Sequence, residues 1–143
     1  MQKCSLVTIR QAKLLKKIGF NEPVLSYIFS VRTDEIRSNF HLSKWNKYGN
    51  LYTSLPDVDT VIDWLRKKYN IIVYNITPPS VCPVKGKITF GYGVKLCNIR
   101  HGWNGRVYIT KKGIFSYNIY AAKRMAINEA LKWILSHKSE KSK

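Results

Sequence analysis

From residue 57 onward the chain reads as a helix, three strands and a second helix, and that order constrains its fold more than any other feature. Pro56 and Asp57 open a helix over 57–69, with Asp57 as its N-cap. Val58, Val61, Ile62 and Leu65 share one face of it, extended by Tyr69. Asp59 and Asp63 stand near the positive end of the helix dipole, and Arg66, Lys67 and Lys68 near the negative end. Asn70 ends the helix. "IIVYNI" (71–76) is β-branched and reads as a strand, and "TPPSVCPVKGK" (77–87) as a proline-rich loop. "ITFGYGVKLCNIR" (88–100) is a long strand, bent at Gly91 and Gly93. "HGWNG" (101–105) makes a hairpin loop and "RVYITKKG" (106–113) the return strand. "IFSYN" leads into a final helix over 119–136. Striped helices and alternating strands must each bury a face, so the expected class is α+β, an antiparallel sheet packed by helices.

The N-terminal part is a helix followed by a β-hairpin. Thr8 and Gln11 form a capping box, and Ile9, Ala12, Leu15 and Ile18, with Leu14, make one apolar stripe. Gly19 caps the C-terminus, giving a helix over 9–18. "NEP" (21–23) is a turn. "VLSYIFSV" (24–31) alternates Leu25, Tyr27, Phe29 and Val31 onto one strand face. Residues 32–50 are polar and irregular, and a short strand near 50–55 completes a hairpin with a long loop. At 143 residues the expectation is a single domain: 1–55, the α-β-β-β-α unit at 56–137, and a charged, frayed tail at 138–143.

Apolar residues make up 45% of the chain, too many for a mostly disordered protein. Against 25 Lys and Arg stand 8 Asp and Glu, a formal net charge of +17. No acid occurs between Asp63 and Glu129, an interval holding twelve Lys or Arg. Such a surface has no internal acids to neutralise it, so its potential stays available to a polyanion. DNA, RNA, an anionic membrane and an acidic protein all qualify; so does a basic surface without a dedicated partner. Cys4, Cys82 and Cys97 form no close pair, which argues against zinc, and their odd number suits a reducing, intracellular setting. The start lacks a continuous apolar core of a secretory signal, and no apolar run reaches membrane-span length.

The order from 57 to 136 resembles the double-stranded-RNA-binding domain. That family carries Lys-Lys-x-Ala-Lys-x-x-Ala-x-x-x-Ala-Leu on its second helix. Here Ala122, Lys123, Ala126, Ala130 and Leu131 stand at its Ala-Lys, Ala and Ala-Leu positions. Its first two lysines, which would reach phosphates, are replaced by Ile119 and Tyr120. Over most of its length the chain also resembles small uncharacterised proteins of bacteriophages and mobile elements of gut Bacteroidota. The anchors are Ile18-Gly19-Phe20, Glu22-Pro23, Asp63-Trp64-Leu65-Arg66-Lys67 and Ala126 to Leu131. This second resemblance implies a host-cell cytoplasmic or virion setting and no activity.

Candidates for catalysis are few. Helix-start electrostatics accounts for Asp57, Asp59 and Asp63, Asp34 and Glu35 are merely adjacent, and His41, His101 and His137 are scattered. "GYG" at 91–93 lacks the Lys-Ser/Thr and the helix of a phosphate loop. No catalytic residue, metal, cofactor or small-molecule substrate is expected. Aromatics interleave with bases in "KWNKY" (44–48) and "RHGWNGRVY" (100–108), the combination that holds single strands. Trp45 and Tyr48 read as packing residues; Trp103 reads equally as a stacking residue or a loop cover. Trp64 and Trp133 read as core. Ala122, Met125, Ala126, Ala130, Trp133 and Ile134 lay the last helix on a sheet, with Lys123 and Arg124 at the rim. The expected nucleic-acid site is Arg100, Trp103, Arg106, Lys111, Lys112, Lys123 and Arg124. The function expected is non-enzymatic, phosphate-directed binding of DNA or RNA. The alternative is a virion accessory protein or inhibitor docking on an acidic host protein.

Overall fold

Thr8 starts the first helix as its spacing from Gln11 dictates. The Gln11 amide donates to Thr8 Oγ1 at 3.1 Å and the Thr8 amide to Gln11 Oε1 at 3.0 Å. The computed structural model describes residues 5–29, 34–76, 90–97, 106–110, 113–116 and 118–141. Val31, the 77–87 and 101–105 loops, Lys111, Lys112 and the last two residues of the tail therefore lie outside the described residues. The described chain is α+β, with two small antiparallel sheets and three α-helices. It divides into two compact units, Met1–Val58 and Asp59–Lys143.

In the first unit α1 (Ile9–Lys17) buries Gln11, Ala12 and Leu15 and packs on β3 (Tyr52–Ser54). It ends in a Schellman motif: the Gly19 amide donates to Lys16 O and the Phe20 amide to Leu15 O. Gly19 takes φ +98°, and Phe20 is buried with Leu15 beneath the turn. The sheet runs β2-β1-β3, with β1 at Val24–Phe29 and β2 at Glu35–Ser43. The expected pairing of β1 with β3 is present, but the two are not a hairpin: the stretch expected to be an irregular loop contains β2, which pairs with the other edge of β1. That edge strand is exposed on both faces and so shows no alternation to detect.

The buried face of β1 is also the opposite of the expected one. Val24, Ser26 and Ile28 are buried, while Leu25 is exposed. Ser26 is tolerated inside because its hydroxyl lies 2.9 Å from that of Ser38 across the ladder. Tyr27 and Phe29, on the other face, are half-buried in an aromatic group. Trp45 stacks on Tyr27 at 3.9 Å, Tyr52 meets both edge-on, and Trp45 Nε1 donates to Val24 O at 3.0 Å. Trp45 is thus a packing residue, set by a single 3-10 turn over Trp45–Tyr48. Lys16 Nζ donates to the Gly49 and Tyr52 carbonyls, tying that turn to α1, and burial pulls its pKa down.

The second unit begins in α2 (Val58–Tyr69), which buries Val61, Trp64 and Leu65 and is closed by Asn70 at φ +55°. Four strands follow: β4 (Ile71–Asn75), β5 (Phe90–Cys97), β6 (Arg106–Tyr108) and β7 (Ile114–Ser116). Tyr92 pairs with Asn75 on one side and Ile114 on the other, and Lys95 with Ile72 and Tyr108. β6 and β7 therefore lie end to end along the edge of β5 opposite β4. The expected third strand is interrupted, and its second half falls in the stretch read as a lead into the last helix. The Ile109 and Thr110 amides both donate to Val94 O, and Thr110 Oγ1 accepts from the Val94 amide at 3.0 Å, holding the interruption to β5.

Asn118 caps α3 (Ile119–Lys141), its Oδ1 accepting from the Tyr120 and Ala121 amides. The helix continues beyond the expected end at 136 into the stretch read as tail. Ala122, Ala126, Ile127, Ala130, Leu131 and Ile134 are buried, and α3 packs on β5, β7 and β4. Met125 is exposed instead, and Trp133 is half-buried, stacked on His137 at 3.9 Å. The buried stripe includes Ile127 and Leu131 because four-residue alanine spacing lets the neighbouring large side chains reach the sheet.

Gly91 and Gly93 do not break the ladder, whose register with β4 is continuous from Tyr92 to Leu96. They make room. A Cβ on Gly91 would lie 2.6 Å from the Ile76 carbonyl oxygen and 2.7 Å from the Phe115 ring; one on Gly93 would lie 2.5 Å from the Tyr74 ring.

Two stability outcomes are expected. Gly19→Ala forces a side chain into the left-handed region and costs about 1–2 kcal/mol, read as a lower urea midpoint. Gly91→Ala, which meets backbone as well as a ring, costs about 1–3 kcal/mol and more than Gly93→Ala, where the obstruction comes from side chains. Equal melting temperatures for the two β5 variants would contradict this.

Candidate nucleic-acid interface

The ladders sort the second unit's sheet into two faces. Ile71, Tyr92 and Val94 are buried on the side of α3. Cross-strand partners share a face, so the opposite side carries Ile72, Tyr74, Gly91, Gly93, Lys95, Tyr108 and Phe115. Here the glycines remove side chains from the middle strand, and rings from its neighbours lie across them. Tyr74 crosses Gly93, and Phe115 crosses Gly91 and Gly113. Lys95 Nζ stands 4.6 Å from the centre of the Tyr74 ring, a cation–π distance. Tyr108, opposite Lys95, is 56% exposed. Burial, and then the neighbouring Tyr108, push the Tyr74 phenol above its ordinary value. Because no acid lies between Asp63 and Glu129, neither the sheet nor the chain joining its strands contributes a carboxylate.

Of this face, the sequence singled out Gly91 and Gly93 as a bend, Arg106 as a site residue and Tyr108 only as part of the stretch 100–108; Ile72, Tyr74 and Phe115 drew no attention. The available signal was "FGYGVK" beside "IIVYN": glycine alternating opposite aromatics, recognisable only once the register is known. The expected site residues are placed as follows. Arg106 stands in β6 opposite Cys97. Lys123 and Arg124 lie on the first two turns of α3, Arg124 half-buried. Arg100, Trp103, Lys111 and Lys112 lie outside the described residues, so the proposed edge of Lys111, Lys112, Lys123 and Arg124 is seen only in its α3 half.

Lys123 is not the exposed rim residue its position suggested. Its ammonium lies 2.7 Å from Asp59 Oδ1, and its side chain is only 16% exposed. Burial lowers its pKa, but the Asp59 hydrogen bond and charge, with Tyr92 and Tyr120, carry it above the ordinary lysine value. Asp59, read as a helix-dipole residue, also anchors α3 to α2.

Five other acids are similarly engaged. Asp63 bonds Lys67 and Arg66, which hold its carboxyl below the usual range. Asp34 pairs with Lys13 at 2.8 Å, Glu35 with Arg37 at 3.0 Å and Glu129 with Lys132 at 3.4 Å. Asp57 accepts from Ser5 Oγ at 2.8 Å. Among the described residues no three His, Cys, Asp or Glu side chains gather as metal ligands. No helix in the described residues is long and apolar enough to cross a membrane. His41 is exposed on β2, His137 packs on Trp133, and His101 lies outside the described residues.

No protein-family model, curated protein or solved structure matches the chain.

Lys123→Ala is expected to lower stability by about 1 kcal/mol, the scale of a charge-assisted hydrogen bond whose partner is still open to water. The loss should persist from neutral pH to mildly alkaline pH. It should vanish only as pH rises through the raised lysine pKa, because the wild type then loses the same charge. Urea unfolding across that range checks it; a pH-independent difference would contradict the ion-pair assignment.

Proposed function

We propose that this chain is a non-enzymatic nucleic-acid-binding protein that engages phosphates with little sequence preference. One observation carries the reading: the second unit holds sixteen Lys and Arg against four Asp and Glu, and its entire sheet falls in the acid-free interval. Within the two units, five of the eight acids are already in ion pairs, so the remaining bases keep their charge for an external polyanion. The α2-β4-β5-β6/β7-α3 order, with the interrupted strand on one edge of β5, supports the double-stranded-RNA-binding-domain-like layout. Lys123 contributes through its Asp59 pair rather than through phosphate, and Arg106, Arg124 and the bases at 100, 111 and 112 supply the contacts. A phage or mobile-element origin and a host-cytoplasmic or virion setting belong to the same proposal.

A specific observation favours a second reading. The β1–β2 register slips between Val24 and Ser26, so that Asn39 to Leu42 bulge out. Phe40 is 97% exposed there and Leu42 64%. Exposed apolar residues of this kind suit a protein partner, as in an accessory protein or an inhibitor on an acidic host surface.

Salt separates the two. Binding of duplex DNA and RNA should weaken linearly in log affinity against log salt, with roughly 0.9 of slope per phosphate held. Fluorescence anisotropy at several salt concentrations reads it. No measurable affinity for either nucleic acid at low salt would move the protein-docking reading to first place.

A further inference from the structure

We propose that the sheet face turned away from α3 is a stacking platform for single-stranded nucleic acid, with Tyr108 beneath an unpaired base and Lys95, held over Tyr74, serving the backbone next to it. The proposal deepens the nucleic-acid reading above and rests on it.

Three observations carry it. The first is the ring arrangement: the Tyr74 ring lies across Gly93, with the Lys95 ammonium over it at 4.6 Å from its centre. The ring holds the ammonium at the sheet surface, where it can meet the phosphate of a base stacked next to it. The second is Tyr108. Covering a glycine explains why Tyr74 and Phe115 lie where they do. It does not explain Tyr108, which is opposite Lys95 and 56% exposed. An exposed tyrosine on a sheet face, cross-strand from a lysine, is left with a ring that no glycine requires. The third is charge: no carboxylate occurs from residue 64 to residue 128, so nothing on the sheet or its connections repels a phosphate.

The occupant follows from geometry. Bases in a duplex stack on one another and present only edges, whereas a sheet-borne ring needs a free base face. An acidic peptide would satisfy Lys95 but gain little from the exposed Tyr108 ring. Sequence preference is expected to be slight, since every base has a π-face.

The test uses the full chain with fluorescein-labelled oligo(dT), oligo(U) and a duplex of matching length. Tyr108→Ala should weaken single-strand binding by roughly tenfold, and Tyr108→Phe should retain it. Lys95→Gln should weaken it as well and flatten its salt slope by roughly 0.7. Duplex affinity should be unchanged in all three, and a matching circular-dichroism melt shows that each variant is folded. Unchanged single-strand affinity in folded Tyr108→Ala overturns the platform, as does an equal loss on the duplex. Wild-type binding to the duplex alone also overturns it while leaving the phosphate-directed reading in place. Binding to neither nucleic acid removes both.

Discussion

Strand β5 hydrogen-bonds to β4 along one edge and to β6 and β7 along the other, and the rest of the second unit is laid out from that double ladder. Two glycines in one short strand should weaken it, since they add backbone entropy and no packing. Here the loss is offset across the strands. The Tyr74 and Phe115 rings occupy the space that Gly93 and Gly91 leave, and a Cβ at either position would displace them. The glycines give one face its aromatic floor, while Tyr92 and Val94 on the alternate positions anchor the face under α3. One strand thus serves a dry side and an open side through the simple alternation of its residues.

Charge explains the other large feature. A chain with +17 net charge repels itself, and a compact state must absorb that cost. Two of the few acids join elements through ion pairs. Asp59 holds Lys123 of α3, and Asp34 holds Lys13 of α1. Others, such as Asp63, complement the basic end of their own helix. The sheet of the second unit is left without a negative group, so its surplus charge and its open aromatic face occur on the same part of the chain. The first unit, by contrast, ties its elements with polar contacts: Lys16 on two carbonyls, the buried Trp45 on Val24, and Asn46, which donates to Phe20 O and accepts from the Ser54 amide.

Much of the local structure was readable without coordinates. The capping box at Thr8, the glycine end at Gly19, the stripes of α1 and α2 and the β-branched β4 all depend on residues a few positions apart. So does the acid-free interval, which is a property of the chain alone. β2 escaped because an edge strand exposed on both faces has no period, and β7 because three residues are too few to show one. Of the candidate site, the basic character was legible, as was the aromatic-basic stretch that ends at Tyr108, but the meeting of Tyr74, Lys95, Tyr108 and Phe115 on one face was not.

By itself, then, the sequence determined the helices, the caps of the first of them, the class of fold and the sign of the net charge. The tertiary structure decided which face of β1 is buried, that β6 and β7 share an edge, and that Lys123 turns to an acid 64 residues away. The reason is physical: helix and cap signals are carried by neighbours within one turn, whereas cross-strand pairing and ion pairs between elements arise only when distant segments are brought to the same place.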